Sequence, residues 1–159
     1  MAEHDSPLRL QRFFPYRLAT LQAAVSDCVG RLYHRRFALS HREWRVLATL
    51  AEFPGWSARE VAEHASLEKM PVSRAVSRLT ARGLLTQAPD RRDGRVQRLW
   101  LTDEGERLYR RIVPLVLALE EALLEALTPA ERAQLEALMD KLLARTAELS
   151  ARDDLSPDR

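Results

Sequence analysis

The side chains best placed to do chemistry at a surface are arginines and serines on one side of a single helical stretch. From Lys69 to Arg82 the chain reads KMPVSRAVSRLTAR. At about 100° per residue, Val72, Ala75, Val76 and Leu79 converge on one side, and Ser73, Arg74, Ser77 and Arg78 on the other. A guanidinium can bond a guanine edge at two points, and a serine hydroxyl reaches a base or phosphate without filling the groove. That side therefore has the composition of a major-groove reader. An ordinary amphipathic helix with its arginines in water would share the same pattern, so the stretch has to be weighed with its neighbours.

Three neighbours favour nucleic acid. The outward side holds no acidic residue to pair with its arginines. Ser57-Ala58-Arg59-Glu60 reads as a capping box opening a short helix to about Ala65, and a turn near Ser66-Leu67 leads into the arginine-bearing helix, which is the helix-turn-helix order. Gly83 stands just past the helix end, and Leu84–Ala88 and Val96–Leu101 then read as two short strands. They are joined by Pro89-Asp90-Arg91-Arg92-Asp93-Gly94-Arg95, a turn-rich tip. An arginine-rich tip can lie along a duplex and place a guanidinium in the minor groove, where the negative potential is deepest. Between Glu68 and Trp100 eight basic residues stand against three acidic ones, although the whole chain carries a net charge of only +2. A basic patch on an otherwise slightly acidic chain suits a polyanionic partner.

The elements that must position this patch are mostly helical. Phe14, Leu18, Leu21, Val25, Cys28 and Leu32 recur at spacings of four and three, which predicts an amphipathic helix from about Leu8 to Phe37. Ser40-His41-Arg42-Glu43 is another capping box, followed by Trp44, Leu47, Ala48 and Ala51 at helical spacing, with Phe53-Pro54-Gly55 as the stop. Thr102 caps a helix whose apolar side runs from Leu108 to Leu127 and which Pro114 should kink; Thr128-Pro129-Ala130-Glu131 opens a last helix bearing Leu135, Leu138, Met139, Leu142 and Leu143. The 159 residues, 46% hydrophobic and 30% charged with only 5 glycines, fit one largely helical domain, or one small domain with an extended oligomerisation element. No apolar run approaches the roughly 18 residues of a membrane span, and Met1 to Pro7 lacks an apolar signal core, so a cytoplasmic protein is expected.

The run from Met70 to Leu85 resembles the recognition helix of the multiple antibiotic resistance regulator (MarR) family, Asp90-Arg91-Arg92-Asp93-Gly94-Arg95 resembles its wing, and Leu99-Trp100-Leu101-Thr102-Asp103-Glu104-Gly105 its strand-to-helix exit. The order of elements fits from about Leu10 to Leu149. The resemblance implies a mainly α winged helix-turn-helix with a small β-hairpin wing. Residues 8–37 would form an N-terminal dimerisation helix, 40–101 the DNA-binding lobe, 102–149 the C-terminal dimerisation helices and 150–159 a disordered tail. It also implies a homodimeric regulator of transcription, acting as a repressor or less often an activator, on a pseudo-palindromic site in double-stranded DNA. Ser73, Arg74, Ser77 and Arg78 would then approach bases and nearby phosphates, Lys69 and Arg82 would neutralise phosphate, and Arg91, Arg92 and Arg95 would serve the wing, with Asp90 orienting a wing arginine. The long apolar stripes at both ends of the chain point to partner helices independently; packing within one chain is the other reading.

Relatives that release DNA on binding a small aromatic acid imply an effector cleft, for which Arg17, Tyr33, His34 and Trp44 are candidates; core packing explains Trp44 equally well. A peroxide-sensing branch of the family carries a cysteine nearer Tyr16 than Cys28, and Cys28 lies in register with the apolar stripe, so a buried structural thiol is expected. His4, His34, His41 and His64 lack metal-ligand spacing, and no nucleophile elbow, phosphate loop or paired carboxylates are present, so neither an enzyme nor a cofactor is expected. The competing class is a winged-helix protein-interaction module that has lost DNA binding, though such a module has little reason to keep a basic, acid-free face from Ser73 to Arg78.

Overall fold

The computed structural model describes residues 8–151 apart from 66 and 68. Of the tail expected over 150–159, Ser150 and Ala151 belong to the last helix, and the rest of it, His4 and the Ser66 position of the turn lie outside the described residues. Two compact units divide between Val116 and Leu117.

The first unit opens with a 3-10 turn at Leu10–Arg12, followed by α1 at Phe14–Phe37. The helix begins later than the sequence predicts because Pro15 tolerates only the first turn, where its missing N–H costs nothing, while Phe13 is held extended ahead of it. Helix α2 spans His41–Glu52 and α3 spans Ala58–His64; both begin with the capping boxes read from the sequence. Each serine oxygen accepts from the backbone N–H of the glutamate three residues on, and each glutamate returns to the serine N–H, at 2.6 Å for Glu43 and 2.7 Å for Glu60. Helix α4 covers Lys69–Ala81 and packs against α2 and α3.

Strands β1 (Leu85–Pro89) and β2 (Gln97–Leu101) pair antiparallel, with Leu85 opposite Leu101 and Pro89 opposite Gln97. Both start one residue later than predicted, for reasons visible in the backbone. The Leu84 N–H turns back to the Leu79 carbonyl to close α4, and the Val96 N–H closes the wing turn on the Asp93 carbonyl. The segment before α3 also borders β2: Leu99 donates to Trp56 and accepts from Gly55, so the wing root is tied to the helix-turn-helix by backbone. Helix α5 spans Asp103–Leu124 and runs through Pro114 as a single element.

The core of this unit joins Leu39, Val46, Leu47 and Leu50 with Val61, Val72, Leu79, Leu99 and Ile112, all essentially inaccessible to solvent. Each such side chain contributes about 1.5–3 kcal/mol through burial. Tyr33, Trp44 and Tyr109 form a continuous aromatic stack, with ring centroids 5.2 and 5.8 Å apart. Cys28 is free and only partly buried, so the expected buried thiol is not what this single chain displays. The first half of α1 is bare: Phe14, Leu18 and Leu21 are all more than half exposed, at 54%, 53% and 61%.

In the second unit, α6 (Pro129–Ala151) begins with the third capping box, in which Thr128 and Glu131 exchange hydrogen bonds. Arg132 fastens the turn before it by donating to the Leu124 carbonyl at 3.0 Å and to both carboxylate oxygens of Glu121. Helix α6 buries none of its own residues, and Leu135, Leu138, Met139, Leu142 and Leu143 are all exposed.

Gly105 holds the exit from β2 in place. A Cβ there would collide with the Leu84 carbonyl, so only glycine lets the first turn of α5 lie this close to the end of α4. Gly105→Ala should lower stability by about 1–3 kcal/mol in urea unfolding, as overpacking does; an unchanged midpoint would mean that the approach is not this tight in solution.

Candidate nucleic-acid interface

The two sides of α4 separate as the sequence predicts. Val72, Ala75, Val76 and Leu79 are 0%, 3%, 7% and 0% exposed, which leaves Ser73, Arg74, Ser77 and Arg78 on the solvent side. Ser77 is exposed, and its hydroxyl donates to the Ser73 carbonyl at 3.0 Å, which leaves its oxygen to accept. Arg74 and Arg78 form no ion pair among the described residues. Lys69 opens the helix.

One cation absent from the sequence expectation belongs beside them. Arg42, in the first turn of α2, lines a groove of 260 Å³ together with Arg74 and Arg78. Glu43 lines it as well, but its carboxylate is committed to the Ser40 N–H. Nothing in the local sequence marked Arg42, because its proximity to α4 comes from helix packing between distant segments.

The wing is built around Asp90. Its Oδ1 accepts from the N–H groups of Arg92 and Asp93, at 2.8 and 3.1 Å, and Asp93 accepts from the Arg95 N–H at 3.0 Å. These side-chain-to-backbone bonds are the means by which aspartate shapes a turn. Arg91, Arg92 and Arg95 are exposed on the tip and unpaired among the described residues. The arginine that Asp90 holds is a different one. Arg98, on β2, donates Nε to Asp90 at 2.7 Å and Nη1 to Glu60 at 2.8 Å, with a longer contact to the Gly55 carbonyl. A single guanidinium thus joins the wing root to the capping box of α3. The Asp90 contact follows from the hairpin register, which sets Arg98 opposite Ala88, two residues from Asp90; the Glu60 contact had no sequence signal.

Arg82 is also occupied. It donates Nη1 to the Ala38 carbonyl at 2.9 Å and Nη2 to the Phe37 carbonyl at 3.0 Å, at the C-terminal end of α1.

Of the four effector candidates, the structure brings two together: Tyr33 and Trp44 stack in the core. Burial pushes the Tyr33 hydroxyl up to about 12, partly offset by the charge of Arg45. His34 instead lines a cavity of 700 Å³ between α1 and the start of α2, with Ser26, Arg31 and Arg35 on one side and His41, Arg42 and Arg45 on the other. Arg17 is exposed and does not line it. Burial, followed by the charges of Arg45 and Arg42, lowers the His41 pKa, and its buried Nδ1 has no hydrogen-bond partner among the described residues. Among the described residues no group of three His, Cys, Asp or Glu side chains is arranged to hold a metal ion, and no helix is long and apolar enough to cross a membrane.

Residues 39–96 match the model of the MarR family. The crystal structure of the PcaV transcriptional regulator from Streptomyces coelicolor is 30% identical to the chain, which spans 97% of it, with a TM-score of 0.63. The chain belongs to the MarR family. A second PcaV structure, in complex with its natural ligand, superposes with a TM-score of 0.73 at 28% identity, over 87% of this chain and 97% of PcaV. The HTH-type transcriptional repressor IacR of Pseudomonas putida is 28% identical over 142 residues, covering 87% of this chain and 84% of IacR. The transcriptional regulator HosA of Escherichia coli O157:H7 is 26% identical over 123 residues, or 77% of this chain and 91% of HosA. All three relatives are named as regulators of transcription, and the winged helix-turn-helix described above superposes on the PcaV structures.

The bond from Arg98, then the backbone bonds from Arg92 and Asp93, hold the Asp90 carboxyl at about 2, below its ordinary 3.8. The depressed value means that this contribution to stability is complete above pH 3.8 and is lost as the pH falls through about 2. Carbon-detected NMR titration should place the Asp90 midpoint near the lower value, and Arg98→Met should move it back up. A midpoint at the ordinary value in the unmodified protein would show that the pair does not form.

Proposed function

We propose that this MarR-family protein binds a pseudo-palindromic DNA site as a homodimer and regulates transcription from it, as a repressor in the first instance. The supporting observation is the division of α4: an aliphatic back held in the core, and an exposed front of Ser73, Arg74, Ser77 and Arg78 whose arginines form no ion pair among the described residues and which is flanked by an arginine-bearing wing. Those four side chains would read base edges in the major groove. Lys69 and Arg42 would meet the backbone phosphates, and Arg91, Arg92 and Arg95 would follow the wing into the minor groove or onto its phosphate rim.

The dimer reading draws on the uncovered apolar side chains: Phe14, Leu18 and Leu21 on α1, and Leu138, Leu142 and Leu143 on α6. Monomers rarely leave this much apolar surface in water, and a two-fold partner would cover it. On this reading residues 8–37 and 102–149 supply the dimer helices, 40–101 the DNA-binding lobe, and the protein acts in the cytoplasm. Sedimentation equilibrium should give about twice the chain mass of 18.2 kDa; a monomer at micromolar concentration would contradict the dimer.

An anionic effector suits the 700 Å³ cavity, whose walls bring Arg31, Arg35, Arg42 and Arg45 against one carboxylate among the described residues, that of Asp27. A small aromatic acid is the proposed class, with His34 retained from the expected set and Arg45 added. Because the His41 pKa is lowered, the attraction falls to the arginines at neutral pH. Phenolic acids should raise the melting temperature of the protein and weaken its hold on DNA, and Arg45→Ala should abolish both effects; no shift across the panel would remove the effector from the account.

The DNA reading is tested by mobility shift on selected DNA at two salt concentrations. Arg74→Ala and Arg78→Ala should each cost about 1–3 kcal/mol of discrimination between bases. Arg92→Ala should weaken all sequences alike and reduce the salt slope by about 0.9. If the Arg74→Ala, Arg78→Ala double variant binds the selected site as tightly as the unmodified protein, α4 is not the reader; if no DNA is bound at any salt, the fold serves protein interaction instead.

A further inference from the structure

The C-terminal end of α4 is where three helices are fastened together. Arg82, the first residue past α4, sends its guanidinium fork to two successive carbonyls, those of Phe37 and Ala38, 45 and 44 residues earlier in the chain. Next to it, the Thr102 hydroxyl donates to the Gly83 carbonyl at 2.6 Å and accepts from the Gly105 N–H at 3.1 Å, while the Thr102 N–H donates to the Leu84 carbonyl. The end of α1 is thereby joined to the end of α4, and the end of α4 to the start of α5.

We infer that Arg82 is a positioning residue that sets the angle of α4 against α1, and that it does not serve as a phosphate contact. The inference rests on the DNA-binding reading above. Ala38 closes α1 in the left-handed region, at φ 50° and ψ 39°, with its N–H returned to His34 and the Leu39 N–H returned to Tyr33. That reversal leaves the Phe37 and Ala38 carbonyls pointing out of the helix at its negative end, where a cation is favoured. Two adjacent acceptors in a fixed geometry suit the planar fork of arginine; a lysine ammonium is a single point and cannot hold both in the same way. The Arg82 N–H bonds the Arg78 carbonyl at 3.1 Å, so a change in the direction of α1 reaches a base-reading arginine within one helical turn. Thr102 transmits the direction of α5 to the same place. A ligand seated against α1, or a partner that moves α1 or α5, would change the angle at which α4 meets a groove without touching the DNA-facing side chains.

The test compares the unmodified protein with Arg82→Lys and Arg82→Met on the selected site and on an unrelated duplex of equal length, over a range of salt. Concentrations are corrected for the active fraction by stoichiometric titration, so a variant that merely folds less well shows no loss of affinity. A positioning role predicts that both variants lose about tenfold or more on the selected site. Both should hold the unrelated duplex within about twofold and keep the salt slope of the parent. A phosphate contact predicts the opposite: Arg82→Met weakens both duplexes equally and lowers the slope by about 0.9, and lysine restores it. That result, or two variants indistinguishable from the parent on both duplexes, overturns the inference whatever happens to the melting temperature. Failure of the unmodified protein to select any site would instead remove the DNA-binding reading, and this inference with it.

Discussion

The direction of every DNA-facing side chain on α4 depends on the burial of four aliphatic side chains of the same helix. Val72, Ala75, Val76 and Leu79 enter the core made by α2, α3 and β2, and a helix so held has no rotational freedom. Turning it by one residue position, about 100°, would drive arginine into that core and expose aliphatic carbon instead. The apolar contact therefore fixes which way Ser73, Arg74, Ser77 and Arg78 point, although it contains none of them. The chemistry proposed for this protein is a consequence of packing on the opposite side of the same helix.

Polar pins then refine what the core determines coarsely. Arg98 ties the wing root to α3 through Asp90 and Glu60, and Arg82 ties the end of α4 to the end of α1. Both pairs of contacts are at least partly exposed, so their worth lies less in stability than in direction: each guanidinium fixes one element against another at two points. The basic residues of the lobe thus divide into two kinds. Arg82 and Arg98 are used internally. Arg74, Arg78, Arg91, Arg92 and Arg95 have no ion-pair partner among the described residues and are left for a polyanion.

Local rules carried much of this into the sequence. Three capping boxes, the glycine after α4 and the turn residues of the wing each announce a nearby backbone bond, the period of Val72 to Leu79 announces a buried side, and each of these is present in the structure. The differences come from the long range. Pro15 delays α1, and the return of the Leu84 N–H to Leu79 delays β1. The role of Arg82 depends on carbonyls 44 and 45 residues away, and that of Arg98 on a glutamate 38 residues away, separations at which residue periodicity carries no information. The same limit applies to the effector cavity. His34 lines it, but the arginines around it come from two helices, and Tyr33 and Trp44 turn out to be core aromatics stacked with Tyr109.

The central claim, that the front of α4 lies in a major groove, is tested most directly by methylation interference on the selected DNA. Methylating guanine N7 adds bulk only in the major groove. The account predicts two clusters of interfering guanines, one per half-site, with centres about 10–10.5 base pairs apart or a multiple of that spacing. Tight binding that is indifferent to N7 methylation throughout the site would contradict it, because the arginine face of α4 would then have no part in reading the sequence.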